Sequence, residues 1–187
     1  MQPFSLFEAQ LDLGPGDLAR LKAVEIIQPY SRIMTDLGRI DLASSAILLL
    51  RSALPHHAPE PRLFRSTLEL LELLNKEASP QLEHLLGFQV QALGLLGLGP
   101  RFDQCGRCGR SPRPSQPCYF DPTLGALVCG PCGHAGYALS PAARWLLSLT
   151  WAECVGADAG QLTAEAREQA HQALSAFIEA HLGGTTG

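Results

Sequence analysis

The sequence has little charge and few aromatic side chains. Of its 187 residues, 17% are charged and 6% are aromatic, whereas 46% are hydrophobic. A chain with so much apolar and so little charged material is not disordered. Because aromatic residues are scarce and leucine and alanine are abundant, we expect a mainly helical core. The net charge of −4 argues against a protein that coats nucleic acid or acidic lipid with its whole surface, but not against local basic patches.

Membrane spans, export signals and catalytic motifs are also missing from the sequence. The apolar run from Leu93 to Leu98 is interrupted by Gly94 and Gly97 and is far too short to cross a bilayer. No basic stretch followed by an apolar segment opens the chain, so we expect a cytoplasmic protein and no membrane association. We find no glycine-rich phosphate loop, no paired histidines on a helix and no Gly-x-Ser-x-Gly elbow. The sequence therefore does not predict an enzyme.

From about residue 31 the apolar residues recur at helical spacing. This spacing predicts one helix up to Leu54, where Pro55 stops it, and a second over residues 60–74. A third helix is expected to be capped by Ser79 and to end before Gly97. The last two helices are expected to begin at Ser140-Pro141 and at Thr163, with Gly183 as the final stop.

The first thirty residues have a different pattern. Phe7, Ala9, Leu11 and Leu13 alternate with polar residues, which is typical of a half-buried strand, and residues 14–16 (Gly-Pro-Gly) predict a turn. The stretch from 17 to 27 fits either a helix face or a second strand. Two strands around this turn would form only a hairpin, which is marginally stable in water without further contacts.

Five of the six cysteines fall within about thirty residues, which excludes the disulfide framework of a small secreted protein. Cys105-x2-Cys108 and Cys129-x2-Cys132 form two knuckles separated by twenty residues. Residues 119–122 and 125–128 read as two short strands between them. This spacing predicts a zinc ribbon or treble-clef-like finger in which these four cysteines hold one Zn²⁺.

Four thiolates would fill the tetrahedron around the metal, so the predicted zinc is structural and not catalytic. The alternatives are two reduced thiol pairs without metal, or a redox Cys-x-x-Cys pair. His134 could replace one cysteine, although an exposed loop position is the favoured interpretation. Cys118, between the knuckles, could be a reactive thiol, but a small buried hydrophobic role is favoured. Cys154 is expected in the core.

Basic residues form two local clusters in this otherwise acidic chain. One lies in and around the first knuckle and consists of Arg101, Arg107, Arg110 and Arg113. The other lies in or just after the N-terminal hairpin and consists of Arg20, Lys22, Arg32 and Arg39. Such clusters are candidate contacts for phosphates, with ordinary solubilising charge as the alternative. The candidate set for DNA binding is Arg20, Lys22, Arg32, Arg39, Arg101 and Arg107.

Several short motifs in a fixed order carry a resemblance to a known family. They are PFSL at 3–6, AVEIIQPY at 23–30, DLASSA at 41–46, LLGLGP at 95–100, CGRCG at 105–109, YFDP at 119–122, GALVC at 125–129 and LS at 139–140. Together they resemble the bacterial recombination mediator family RecO. The resemblance covers nearly the whole chain, and residues 93–140 are its most specific part.

The resemblance implies an OB-fold followed by a helical domain that carries a zinc finger. Residues 1–30 would then be the C-terminal hairpin of an OB-fold whose earlier strands are missing, which makes residues 17–27 a strand. Residues 31–187 would form the helical domain, with the finger inserted at 101–137.

The resemblance also implies a function. A RecO-like protein is a non-enzymatic mediator of DNA repair and homologous recombination that binds single-stranded DNA and the acidic tail of single-strand binding protein. It works with RecR and helps RecA to load. Two rival hypotheses remain at this point: a zinc-stabilised helical scaffold for protein interactions without DNA binding, and a thiol-based redox sensor that uses Cys118 with the knuckles.

Overall fold

The computed structural model describes residues 3–14, 19–54, 59–113, 115–156 and 162–183. This part of the chain contains six α-helices and two small sheets. The helices are α1 Leu37–Ala53, α2 Pro61–Lys76, α3 Leu82–Leu95, α4 Pro141–Ser148, α5 Trp151–Gly156 and α6 Ala164–Leu182. The strands are β1 Ser5–Leu13, β2 Ala19–Pro29, β3 Arg101–Cys105, β4 Cys118–Asp121, β5 Ala126–Cys129 and β6 Tyr137–Leu139. Among the helices described, none is both long and apolar enough to cross a membrane.

The predicted starts of the last two long helices are confirmed. At α4, the Ser140 hydroxyl accepts a hydrogen bond from the Ala143 N–H at 3.2 Å. At α6, the Thr163 hydroxyl accepts one from the Ala166 N–H at 3.1 Å. Each cap satisfies a backbone donor that the first turn of a helix leaves without a partner.

The predicted start of α3 is wrong by two residues. Gln81, and not Ser79, is the N-cap, and the helix begins at Leu82. The imidazole Nδ1 of His84 accepts a hydrogen bond from the backbone N–H of Gln81 at 3.0 Å, which completes a reciprocal capping box. A histidine on a helix without acidic or cysteine partners at ligand spacing is expected at the surface, but His84 is buried at the start of α3.

The expected helix from residue 31 to 54 is split. Ser31–Thr35 form a short 3₁₀ turn, and Asp36 is extended at φ −142° before α1 begins. The Asp36 carboxylate accepts a hydrogen bond from the Arg39 N–H at 2.9 Å and so caps α1. Leu37 belongs to the apolar spacing of the expected helix, but it is the first residue of α1 and is 84% exposed. The short helix α5 was not expected from the sequence.

The core is organised around α3, which packs against α1, α2, α4, α5 and α6. Leu86, Phe88 and Leu93 of this helix are almost fully buried. Gly87 lies so close to α5 that an added Cβ would be 2.6 Å from the Cys154 sulfur. The buried Cys154 is a core residue, as expected, and burial raises the pKa of its thiol to about 11.

The N-terminal strands β1 and β2 pair antiparallel, which confirms the strand interpretation for the described part of residues 17–27. Residues 15–18, which include most of the predicted turn and the first two residues of that stretch, lie outside the described residues. The expected half-burial of β1 is not observed: Phe7 is 45% and Leu11 is 52% exposed. Leu21 and Ile26 of β2 are exposed to a similar extent.

The second sheet carries the cysteines, with strand order β3-β5-β4-β6. The predicted pair of short strands is confirmed, because β4 and β5 pair antiparallel from Cys118 opposite Cys129 to Asp121 opposite Ala126. Phe120 of β4 is buried and contacts the ring of Phe177 on α6, with ring centroids 6.1 Å apart. This contact joins the cysteine-bearing sheet to the helices.

Candidate metal centre

The four predicted cysteine ligands meet in space. The sulfur atoms of Cys105, Cys108, Cys129 and Cys132 all lie within 4.8 Å of one another. Cys105 ends β3 and Cys129 ends β5, so two neighbouring strands of the sheet position one sulfur from each knuckle. The sulfurs of Cys108 and Cys129 are 3.8 Å apart. Four sulfurs gathered in this way are suited to a tetrahedral metal ion.

Glycine allows both knuckles to turn tightly. Gly109 has φ +72° and donates its N–H to the Cys105 carbonyl at 2.8 Å. Gly133 has φ +150° and donates its N–H to the Cys129 carbonyl at 3.2 Å. A side chain at either position would strain the backbone, because only glycine adopts positive φ freely. In both loops, therefore, a glycine with positive φ after the second cysteine allows the two sulfurs to face a common centre.

The electrostatics of the cluster favour a bound cation. Burial raises the pKa of Cys105, but the backbone N–H groups of Cys129, Cys108 and Arg107 outweigh burial and lower it to about 6. At Cys132 the hydrogen bonds with the sulfurs of Cys129 and Cys108 raise the pKa to about 12. The group can form one thiolate readily, but four adjacent thiolates repel one another unless a cation lies between them.

His134, considered as a replacement ligand, and Cys118, considered as a reactive thiol, lie outside the cluster. His134 is exposed and presents its ring at an angle of 74° to Tyr119, with centroids 5.1 Å apart. Cys118 is buried, as favoured from the sequence, and accepts a hydrogen bond from the Arg144 guanidinium at 3.4 Å. Among the described residues, the four knuckle cysteines alone make up the metal-ligating group at this place.

The candidate DNA-binding residues near the knuckles differ in their contacts. Arg107 donates to the Cys132 carbonyl at 3.0 Å and lies 3.9 Å from the Asp121 carboxylate, so it braces the second knuckle. The side chain of Arg101 is exposed, while its backbone N–H donates to the Gly125 carbonyl at 2.8 Å. Arg107 thus carries positive charge beside the cysteine cluster, whereas Arg101 lies at the opposite end of β3 from Cys105.

The N-terminal candidates are spread over three elements. Arg20 is exposed on β2, and Lys22 on the same strand pairs with Asp12 at 3.1 Å. Arg32 is exposed and donates to the Lys76 carbonyl at 3.1 Å. The structure thus brings Arg20 and Lys22 onto one hairpin. Arg32 lies in the 3₁₀ turn Ser31–Thr35 and contacts the end of α2.

Arg39 is engaged inside the fold. It is only 6% exposed, and its guanidinium donates to the carbonyls of Leu74 and, at 2.9 Å, Ala78. Leu74 lies in the last turn of α2 and Ala78 just beyond it, where a cation satisfies acceptors that have no intrahelical partner. A phosphate could not reach this group without unfolding that contact, so we leave Arg39 out of the proposed DNA-contacting set.

The structure also reveals arginines that the sequence analysis left out of its candidate set. Arg110 and Arg113 line a cavity of about 500 Å³ beside the knuckles. The regular spacing of Arg107, Arg110 and Arg113 was the sequence signal, but spacing in a loop does not show which side chains share a cavity.

Comparisons with known proteins point to one family. A family model described as "Recombination protein O C terminal" matches residues 34–187. The DNA repair protein RecO of Anaeromyxobacter dehalogenans (strain 2CP-C) is 35% identical over 188 residues, which cover 98% of this chain and 73% of that protein. The DNA repair protein RecO of Myxococcus xanthus (strain DK1622) is 35% identical over 186 residues, with the same two coverages. That of Geobacter sulfurreducens is 33% identical over 141 residues, or 75% of this chain and 56% of that protein.

Proposed function

The chain belongs to the RecO family of DNA repair proteins, and on this premise we propose that it is a recombination mediator that binds single-stranded DNA. The observation that carries the proposal is the similarity to RecO proteins along 98% of the chain. The mediator acts by binding, without a catalytic step of its own. It recognises DNA mainly through phosphates, because the chain has few aromatic residues on which bases could stack.

We further propose that the protein works with three partners in the cytoplasm. It binds the acidic tail of single-strand binding protein, acts together with RecR, and assists RecA loading. The test is the rate at which RecA assembles on single strands coated with single-strand binding protein. We expect acceleration only when both this chain and RecR are present, and an unchanged rate under that condition would overturn the proposal.

The rival hypothesis, a protein-interaction scaffold without DNA binding, makes a different prediction. A scaffold would bind the acidic tail peptide but not an oligonucleotide. Anisotropy titrations of a labelled tail peptide and of a labelled single strand, made on the same preparation, separate the two hypotheses. Binding of the peptide alone would favour the scaffold.

The four-cysteine cluster is proposed to hold one structural Zn²⁺, and residues 101–137 to form the zinc finger. The donor set supports zinc, since four thiolates at tetrahedral spacing are its usual structural ligands, at about 2.3 Å per sulfur. A zinc ion held there would fix β3, β5 and the two knuckle loops to one another. It would have no open position for water or substrate, because the cysteines occupy all four.

The hairpin β1–β2 is proposed to be the C-terminal hairpin of an OB-fold, with residues 31–187 as the helical domain. The support is the family resemblance together with the apolar side chains that the hairpin exposes on both strands. Such surfaces and unpaired edges are normally covered by further strands. The amides of β1 and β2 should therefore exchange hydrogen more slowly in the Myxococcus xanthus relative, of which the matched region is only 73%, than in this chain. Equal exchange in the two proteins would contradict the assignment.

A further inference from the structure

The cavity beside the knuckles has an unusual lining. The polar residues that line it are Arg110, Ser111, Arg113, Ser115 and Gln116, and Cys129 of the sulfur cluster lies in the same wall. Among the residues that the structure describes, no carboxylate lines it, although acidic residues outnumber basic ones in the sequence, 18 to 14. Every polar side chain named here can donate hydrogen bonds, and two of them carry positive charge.

The loop that forms the cavity is held in place by backbone contacts. The Arg110 carbonyl accepts a hydrogen bond from the Cys105 N–H at 2.9 Å, which ties it to β3. The Arg113 carbonyl accepts two, from the Gln116 N–H at 3.0 Å and from the Arg144 guanidinium at 3.0 Å. Since Arg144 lies on α4, the cavity is fixed to both the cysteine-bearing sheet and the helices. Little ordering is then needed when a ligand binds, which favours affinity.

We propose that this cavity holds one backbone phosphate of single-stranded DNA, with Arg113 as the main phosphate contact. The proposal rests on the proposed function and specifies where the finger meets the DNA. The guanidinium of Arg113 and the hydroxyls of Ser111 and Ser115 match the acceptor oxygens of a phosphodiester. The volume of about 500 Å³ exceeds that of a phosphate alone, so the attached sugar fits against the wall formed by Pro131.

The arginines along this loop have different roles in the proposed complex. Arg107 is already bonded to the Cys132 carbonyl. The guanidinium of Arg110 is hydrogen-bonded to Cys108, so it already has a partner in the first knuckle. Arg113 shows no salt bridge or side-chain hydrogen bond among those found in the described residues, and it is therefore the guanidinium with donors to spare.

The experiment compares charge-reversed variants in binding to a labelled oligo(dT) strand as a function of salt. Arg113→Glu removes the main phosphate contact, and Arg65→Glu, at an exposed position of α2, changes the net charge by the same amount. We expect Arg113→Glu to bind about tenfold more weakly than Arg65→Glu, because charge-assisted hydrogen bonds are lost. Its log–log salt slope should be less steep by about 0.7, the value for one phosphate on a single strand.

Two controls test whether a loss of binding in Arg113→Glu comes from the lost phosphate contact or from a damaged fold. Unchanged zinc content and thermal unfolding of Arg113→Glu will show that the fold survives, and Ser115→Ala, which removes one hydroxyl without changing charge, should weaken binding in the same direction. If Arg113→Glu and Arg65→Glu bind the strand equally, the cavity proposal is overturned while DNA binding stands. If the unmodified protein binds no strand, both proposals fail. If Arg113→Glu weakens the binding of inorganic phosphate but leaves the binding of the strand unchanged, the cavity is a site for free phosphate and the proposal is overturned.

Discussion

One histidine caps the central helix, and this role makes the stability of the fold dependent on pH. The Nδ1 atom of His84 must be unprotonated to accept the hydrogen bond from the Gln81 N–H. Burial lowers the pKa of His84 below its ordinary value near 6.5, and the carboxylates of Glu83 and Glu77 only partly oppose this effect. When the pH falls below about 6.5, the unfolded chain binds a proton before the folded protein does. The free energy of unfolding should therefore decrease from that pH downward.

His84→Gln provides the matched variant for this prediction. The glutamine side chain can still accept the hydrogen bond of the capping box but has no proton to gain. Urea midpoints measured at pH 7.5 and at pH 5.5 should fall less in the variant than in the unmodified protein. An equal fall in both would mean that other groups cause the acid sensitivity.

A buried ion pair fixes the last helix to the central one. The Glu83 side chain is only 1% exposed and accepts a hydrogen bond from Nε of Arg167, on α6, at 2.9 Å. Removing one partner of a buried pair leaves an uncompensated charge, which typically costs about 3–5 kcal/mol. We expect Arg167→Met to lower the free energy of unfolding by an amount in this range, as measured by urea denaturation.

The double variant Glu83→Gln/Arg167→Met serves as the control for this ion pair. It removes the unpaired carboxylate, so it should be more stable than Arg167→Met alone. If the free energy of unfolding falls in the double variant by the sum of the losses in Glu83→Gln and Arg167→Met, the two residues stabilise the fold independently.

At the scale of elements, the cysteine-bearing sheet is predicted to depend on metal. Structural zinc contributes on the order of 10 kcal/mol to the folding of a small module. Cys129→Ser should therefore abolish stoichiometric zinc and open the segment 101–137 to proteolysis, while α1, α2 and α3 keep their helicity. Elemental analysis, limited proteolysis and circular dichroism measure these three effects.

Cys118→Ala is the matched control for the finger. Cys118 lies opposite Cys129 in the β4–β5 pair but is not a member of the sulfur cluster. The variant should retain one zinc per chain and a protease-resistant segment. Full zinc loading in Cys129→Ser, or zinc loss in Cys118→Ala, would contradict the assigned ligand set.

The elements that could be predicted from the sequence are those whose signals are local. Ser140 and Thr163 cap the helices that follow them because each hydroxyl bonds to an N–H only three residues away. The gathering of the four cysteines could be predicted for the same reason, since each Cys-x-x-Cys pair makes its own turn. The β4–β5 pair required only a short connection between its two strands.

Other features could not be predicted because they depend on distant parts of the chain. Arg39 appeared to be a surface cation, but it is buried against the carbonyls of Leu74 and Ala78, more than thirty residues away. His84 and Glu83 are polar residues on a mostly apolar helix, and no local pattern indicates that they are buried. Likewise, Arg113 gains its place in the cavity only through the folded loop and its contact with α4.

At the scale of the whole molecule, charge is distributed unevenly. The net charge is −4, yet exposed basic groups lie on the hairpin and around the cysteine cluster. These surfaces belong to separate elements, so only a few cations can contact one DNA strand at the same time. With about 0.7 in slope for each phosphate neutralised on a single strand, the log–log salt dependence of binding should have a slope of roughly −2 to −3.

Reversing the two cations of the hairpin tests whether this surface takes part. Arg20→Glu/Lys22→Glu should weaken binding of a single strand and make the salt slope less steep, without changing the unfolding of the helices. The ion pair of Lys22 with Asp12 does not prevent phosphate contact, because both side chains are more than half exposed and such pairs contribute little. Arg62→Glu/Arg65→Glu, on the exposed surface of α2, is the control with the same change in net charge. If both double variants lose affinity equally, only the overall charge matters and the hairpin does not contact DNA. If binding is insensitive to salt, the proposal that the protein recognises DNA through its phosphates is wrong.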